Sequence, residues 1–235
     1  MEKMMQLATW LKVAHTTVVL TGAGMSTESG VPDFRSTKGL WKQLDSQRVA
    51  TIDAFEHDYP LFHEFYATRL NHLAHCSPHE GHHILAALEQ QHYISLIATQ
   101  NVDGFHTQAG AENVAELHGN IHAIRCQSCG NAHTEAQFIA AQLCECGGRL
   151  RPGVVLFGEY LPEDAWQKAF STIERADLVI VIGTSLQVSP VNQLPAITRG
   201  KKVYINAEVH DDHLFDLTIE GSARETLLAL HNLLS

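Results

Sequence analysis

TTVVLTGAGMSTESG, residues 16–30, decides the fold. Its first half is β-branched and almost wholly apolar, as strands covered on both faces are. Its second half is a glycine-rich turn, read here as leading from that strand into a helix. Three more runs of the same make follow: YISLIATQN (93–101), ADLVIVIGTS (176–185) and KKVYINAE (201–208). Each runs out into Gly, Thr, Asn or Ser. Helical stretches lie between them at about 2–14, 60–75, 79–91, 163–175 and 222–234. Such alternation predicts an α/β fold built on a doubly wound, parallel, Rossmann-like sheet. Ligands of such sheets sit beyond the carboxyl ends of the strands, so the polar residues there are the first candidates for function.

Composition narrows the classes. The chain has 235 residues, 45% of them hydrophobic, and 16 Lys and Arg against 26 Asp and Glu for a formal charge of −10. That balance argues against a nucleic-acid partner, which needs clustered cations to displace counterions. It suits a cationic or neutral partner, such as a lysine-bearing peptide. No stretch approaches the ~20 apolar residues of a membrane span. The opening MEKMMQLATWLKVAH, with Lys12 inside its apolar stretch, reads as an amphipathic helix rather than a signal peptide. The expectation is a cytoplasmic protein with reduced cysteines.

Two stretches interrupt the alternation. Residues 32–60 are too long and polar for a simple crossover. Residues 121–152 hold four of the five cysteines and show no convincing strand–helix pattern, so they read as a small inserted module. There Cys126-Gln-Ser-Cys129 precedes Cys144-Glu-Cys146 by 14 residues, with Gly130, Gly147 and Gly148 beside the pairs. Two cysteine pairs bracketing a short loop suit one Zn²⁺ held by four thiolates. A filled shell leaves no position for water, so the ion is expected to be structural. Cys76 stands apart and reads as a buried helix residue. HEGHH (79–83) fits the metalloprotease pattern, but SPHE (77–80) before it reads as a capping box with Pro78 at the first helical position. The match is therefore expected to be a helix start.

The turn after the first strand, with Gly22, Ala23 and Gly24, would present backbone N–H groups to a pyrophosphate. Its glycine spacing is not G-x-G-x-x-G, and no acidic residue ends the second strand in the usual place, so a plain NAD dehydrogenase is disfavoured. TQNVDGFH (99–106), GTSL (183–186) and INAE (205–208) end three further strands. Asn206 and Glu208 could meet ribose hydroxyls. A shorter strand, VAELHG (114–119), delivers His118, a candidate base at neutral pH.

Together, GAGMSTESGVPDFR (22–35), TQNVDGFH, ELHGN (116–120), the four cysteines, RPGVVLFGE (151–159), GTSLQVSPVNQLP (183–195) and INAE resemble, in order, the motifs of the sirtuins. These are NAD-dependent protein lysine deacylases of the Sir2 family. The resemblance spans about residues 10–230 and looks like a bare catalytic core of bacterial type. It implies one domain with a large Rossmann-like part at about 1–34, 90–120 and 153–235. A mobile cofactor loop and helical insertion at about 35–89 and a zinc module at about 121–152 would complete it.

The same resemblance implies the site. Ala23, Thr27, Asp33, Phe34 and Arg35 would line the pocket for the phosphates and the nicotinamide ribose, with Trp41 on the mobile loop. Gln100, Asn101, Val102 and Asp103 would form the nicotinamide pocket. Gly183, Thr184, Ser185, Asn206, Glu208 and Ala223 would meet the phosphates and the adenosine half. His118 would be the general base, with Asn101 and Asp103 beside the bond that breaks. The implied reaction moves the acyl group of an acyl-lysine to ADP-ribose, releasing nicotinamide, free lysine and O-acyl-ADP-ribose, which makes the enzyme an acyltransferase. The acyl-lysine peptide would lie along Val154, Val155, Phe157 and Gly158, opposite the loop after Gly183. Deacetylation is the default. FYATR (65–69) also matches the Tyr-x-x-Arg pair with which some sirtuins bind succinyl or malonyl groups, which points to Tyr66 and Arg69 and to a desuccinylase or demalonylase as the alternative. Mono-ADP-ribosyl transfer and non-catalytic NAD binding are further alternatives. A monomer, with no nucleic-acid or membrane partner, is the default assembly.

Overall fold

A computed structural model of the chain describes residues 1–33, 46–209 and 213–234. After helix α1 (Glu2–Val13), strand β1 (Thr17–Thr21) enters the middle of the main sheet. Helices α2 (Ser46–Val49), α3 (Ile52–His57), α4 (Tyr59–Leu73) and α5 (Glu80–Gln90) come next, then β2 (Leu96–Thr99), α6 (Phe105–Gln108) and β3 (Val114–Glu116). The small unit holds β4 (Gly119–Cys126), α7 (Glu135–Ile139) and β5 (Leu150–Val154). The chain finishes with α8 (Glu163–Glu174), β6 (Leu178–Ile182), β7 (Lys201–Asn206), β8 (Leu217–Glu220) and α9 (Ala223–Leu234).

Six parallel strands lie in the order β3-β2-β1-β6-β7-β8. Strand alternation sorts the apolar side chains to two faces. Val19, Ile97, Ile180, Ile182 and Ile205 pack with Leu7 and Leu11 of α1, Leu85 and Leu88 of α5 and Leu227 and Leu230 of α9. Val18, Leu20, Leu96, Val179 and Val181 face the other way, against Ala169 and Ile173 of α8 and Val191 and Leu194. Burial on both faces is why these strands read as unbroken apolar runs. The strand order turns back at β1/β6, and the crevice beyond the ends of those two strands is the place for a ligand.

The small unit departs from its reading as patternless. β4 and β5 form a two-stranded antiparallel ribbon, pairing Cys126 with Leu150 and Gly119 with Val154, with a register shift between Asn120 and Ile124. The shift breaks the alternation along β4, so its period was hidden in the sequence. The ribbon shares one apolar core with the helices before it: Ile121, Ile124, Phe138 and Leu150 pack with Phe55, Phe62, Phe65 and Tyr66. Helix α5, although all but its last residue falls within 35–89, packs on the main sheet instead.

Three local expectations need correction. Where a helix was expected after β1, two 3₁₀ turns follow, Ala23–Met25 and Thr27–Ser29. Turns this short carry little dipole, so anion binding there falls to individual groups. Ser77 does not cap α5. The cap is His79, whose Nδ1 accepts from Gly81 N–H at 2.9 Å while His82 Nδ1 accepts from His79 N–H at 3.3 Å. Cys76 lies past the end of α4, half-buried, with its thiol 3.5 Å from the His72 carbonyl. Among the described residues no helix is long and apolar enough to cross a membrane.

Candidate functional site

The crevice floor is backbone packed on backbone. Gly24 N–H donates to Gly183 O at 2.7 Å, and a Cβ on Gly24 would come within 2.8 Å of Gly183 Cα. Gly183 adopts φ of 63°, a left-handed conformation that suits glycine. With no side chains between them, the backbones beyond β1 and β6 meet in direct contact at the switch point. Thr27 is exposed on the turn, its hydroxyl donating to Gly24 O at 3.1 Å. Ala23 and Asp33 border the same turn and are half-buried. Phe34, Arg35 and Trp41 lie outside the described residues.

Beside this floor the structure gathers a buried polar network. Asn101 donates to Gly22 O at 3.0 Å and to Ser26 Oγ at 3.1 Å, which orients its amide and sends Oδ1 the other way. Ser26 Oγ in turn donates to Asp103 Oδ2 at 2.7 Å, and Asp103 Oδ1 accepts from Phe105 N–H at 3.0 Å. Burial raises the Asp103 carboxyl above its ordinary range, although these hydrogen bonds and nearby Arg69 oppose the rise. Behind it stand two buried histidines. His82 faces Ser26 Oγ at 3.5 Å, and His106 Nε2 meets Thr21 Oγ1 at 2.9 Å, while that hydroxyl donates to Thr99 Oγ1. Burial, then the neighbouring imidazoles, pull His82 down to about 2; burial, then His79, pulls His106 down to about 4. Both are held neutral.

His118 sits just past β3. Its Nδ1–H donates to Gln100 O at 3.1 Å, which places the basic lone pair on Nε2. From Gln100 a chain of hydrogen bonds crosses the strand ends. Gln100 Nε2 donates to Thr184 Oγ1 at 3.0 Å, Tyr204 OH to Thr184 O at 2.8 Å, and Asn206 Nδ2 to Tyr204 OH at 3.0 Å. Asn206 also donates to Glu208 O at 2.9 Å. Val102 is half-buried, whereas Ser185 and Glu208 are exposed. Ala223 begins α9, whose second residue is tied to the second 3₁₀ turn: Arg224 N–H donates to Glu28 Oε2 at 3.0 Å, and its guanidinium grips Glu80.

The segment after β5 borders the same opening. Val155 N–H donates to His118 O at 2.9 Å, and Phe157 N–H to Ala50 O at 2.9 Å. Val154 is buried in the small core, Val155 is half-buried, and Phe157 is 42% exposed beside exposed Gly158. Core packing therefore accounts for Val154 and not for Phe157. On α4, Tyr66 is buried, and desolvation lifts its phenol to about 12. Arg69 lies over the Phe65 ring at 5.6 Å; desolvation lowers its pKa, while the nearby Tyr66 phenol and Asp103 carboxyl oppose the fall.

The four cysteines come together as expected. Their Sγ atoms all lie within 4.8 Å of one another, and the Cys126–Cys146 and Cys129–Cys144 separations are 3.6 Å. A Zn–S bond of about 2.3 Å in a tetrahedron sets S···S at about 3.8 Å, so the cluster fits zinc. Gly148 is required by close approach, since a Cβ there would fall 2.6 Å from Cys126 Sγ. The HEGHH match carries no such site. Both His79 ring nitrogens are committed, Nδ1 to Gly81 N–H and Nε2–H to Met25 O at 2.7 Å.

Reading the sequence missed Ser26, His82, His106 and Tyr204. Ser26 and His106 lie inside motifs already singled out, but only the fold shows them turned toward Asp103 and Thr21. Tyr204 is disguised by its place in an apolar strand.

A doubly wound sheet with a polar switch point, joined to a ribbon holding four converging thiolates, defines a nucleotide-binding α/β protein with a structural metal module. The chain belongs to the Sir2 family, whose family model matches residues 22–190. It is 49% identical over 221 residues to NAD-dependent protein deacetylase 1 of Geobacillus kaustophilus, covering 92% of this chain and 91% of that one. It is 46% identical over 216 residues to the NAD-dependent protein deacetylase of Oceanobacillus iheyensis, covering 89% and 92%. Among solved structures, a mutant Sir2 homologue in complex with ADP-ribose superposes with a TM-score of 0.93 at 36% identity, over 97% of this chain and 95% of that one. A Sir2 mutant with a deacetylated p53 peptide and 3′-O-acetyl-ADP-ribose gives 0.90 at 35%, over 97% of both.

Proposed function

We propose that this protein is an NAD-dependent protein lysine deacetylase that takes acetyl-lysine peptides as substrate and works in the cytoplasm. The observation that carries the reading is His118, oriented through Gln100 at the junction of the nucleotide crevice and the Val154–Gly158 segment. NAD, when bound, would supply a labile glycosidic bond, a ribose carbon open to the acyl oxygen as nicotinamide leaves, and a ribose hydroxyl to receive the acyl group. The chain's own residues then have distinct tasks. The Gly24–Gly183 floor, with Gly22, Ala23, Thr27 and Asp33, holds the phosphates and ribose. Gln100, Asn101, Val102 and Asp103 surround the nicotinamide end, where polar groups fixed in advance stabilise developing positive charge. Thr184, Ser185, Asn206, Glu208 and Ala223 serve the adenosine half. His118 Nε2 takes the proton from a ribose hydroxyl, and a neutral imidazole is suited to that. The peptide adds as a strand along Val154–Gly158, with Val155 and Phe157 against the acyl-lysine. Zinc held by Cys126, Cys129, Cys144 and Cys146 does no chemistry, because four thiolates complete its shell.

His118→Tyr tests this reading. Deacetylation of an acetyl-lysine peptide with NAD is expected to fall by about 10²–10⁴-fold, with circular dichroism and zinc content unchanged. Full activity in the variant would sink the mechanism.

Tyr66 and Arg69 support a second reading, in which succinyl or malonyl groups are also accepted. A desolvated guanidinium beside a buried phenol is chemically suited to a carboxylate, for which Asp103 would be the competing partner.

A further inference from the structure

The ion pair behind the substrate segment, a buried arginine with a half-buried glutamate, belongs to none of the roles above. Arg151 has 0% exposure and lies on β5. It holds Glu159 with both ends of its fork, Nη1 to Oε1 at 2.6 Å and Nη2 to Oε2 at 2.9 Å. The same guanidinium donates to Val154 O at 2.6 Å and, through Nε, to Pro152 O at 3.2 Å. Glu159 turns back on the chain, its Oε2 accepting from Leu156 N–H at 2.8 Å. Burial works against the Glu159 carboxylate, yet the bonds from Arg151 and Leu156 win and lower its pKa overall. On the other side Arg151 Nη1 reaches Gln127 Oε1 at 3.4 Å, and Gln127 stands between Cys126 and the second cysteine of its pair.

The consequence is geometric. Residues 154–159 form a short arch whose two feet, Val154 O and Glu159, are fastened to one buried cation. Its inner amides are assigned individually: Val155 to His118 O, Leu156 to Glu159 and Phe157 to Ala50 O. Phe157 is thereby left outward, at 42% exposure, with Gly158 beside it. With these three N–H groups spent inside the protein, an extended ligand would pair with the remaining backbone groups of a segment fixed in advance, which spares the cost of ordering it at the moment of binding.

We infer that Arg151 and Glu159 are positioning residues that pre-form the peptide-binding edge, linking it to the cysteine knuckle at Gln127 without touching substrate. This rests on the proposal that residues 154–158 receive the acyl-peptide. Steady-state kinetics of the zinc-loaded full chain, varying acetyl-lysine peptide and NAD separately, provide the test. Glu159→Ala is expected to raise the peptide KM by about tenfold or more, while kcat and the NAD KM stay within about twofold. Glu159→Gln keeps one acceptor oxygen and is expected to recover part of the loss. Since a lone buried Arg151 could unfold the ribbon, the paired Arg151→Met/Glu159→Leu variant removes both charges. It should fold with normal zinc content and the same peptide KM defect. An unmoved peptide KM, or kcat and both KM values shifting in step with melting temperature, overturns the positioning role while leaving the deacetylase reading intact. Absence of NAD-dependent turnover in the wild type overturns that reading and this inference together.

Discussion

Single side chains decide which acyl group this site would accept. Arg69 is placed on α4 one turn after Tyr66, and its field meets Asp103 rather than open water. If that cation receives a substrate carboxylate, Arg69→Met removes a charge-assisted, two-pronged contact worth about 1.5–3 kcal/mol. Desuccinylation should then drop roughly 10–100-fold in kcat/KM, with deacetylation changed by less than about threefold. Competition between acetyl- and succinyl-lysine peptides, read by nicotinamide release, settles it; equal losses on both substrates would remove the clamp. Legibility was uneven at this scale. Asn101, Asp103 and His118 were visible because they follow strands, where side chains must face a ligand. Ser26 and Tyr204 were not, since a serine in a turn and a tyrosine in a strand have ordinary uses. Only their hydrogen bonds, to Asp103 and Thr184, set them apart.

Among the elements, the ribbon depends most on something outside its own backbone. β4 and β5 are joined through a stretch whose α7 is only a single short turn of helix, capped by Thr134. Ile139 and Leu143 of this stretch remain partly exposed. Its buried side chains, Ile121, Ile124, Phe138 and Leu150, rest on the helices before it and leave the cysteine end to be fixed by the metal. Strong chelation is expected to release one zinc ion per chain and to disorder residues 119–154, seen as loss of amide-exchange protection there. Helices α1, α5 and α9 on the main sheet should keep theirs. Uniform loss of protection would show that the ribbon and the sheet unfold as one. The cysteine spacing announced the metal, but nothing in the spacing announced the ribbon, because the register shift after Asn120 scrambles the alternation. The cap of α5 misled because serine is the commoner N-cap, whereas here a histidine takes the place, with its other nitrogen bonded to Met25 O.

At the scale of the whole molecule, the buried histidines tie stability to pH. His106 is held down to about 4 and His82 to about 2, both by burial first, against 6.5 for an exposed imidazole. Below about pH 6.5 the unfolded chain binds protons at these positions that the folded chain refuses. Stability therefore rises with pH from about 4 to 6.5, and is lost as the solution is acidified through that window. Each histidine contributes at most about 1.4 kcal/mol per pH unit. Urea midpoints should fall from pH 7 to pH 5, and His106→Asn should flatten that slope. A midpoint independent of pH in this range would mean that the histidines are not held neutral. The strand runs made the sheet readable at this scale. β8 went unread because LTIE is too short and polar to stand out between loops.

Between Glu116, the last residue of β3, and Gly119, the first of β4, the chain has only Leu117 and His118. Leu117 N–H is fastened to Thr99 O in the sheet, and His118 O to Val155 N–H in the ribbon. The imidazole thus rides on the axle between two bodies. A tilt of the smaller body would pull on the His118 carbonyl against the ring's own bond to Gln100 O, so damage at the cysteines would be felt as strain on the base.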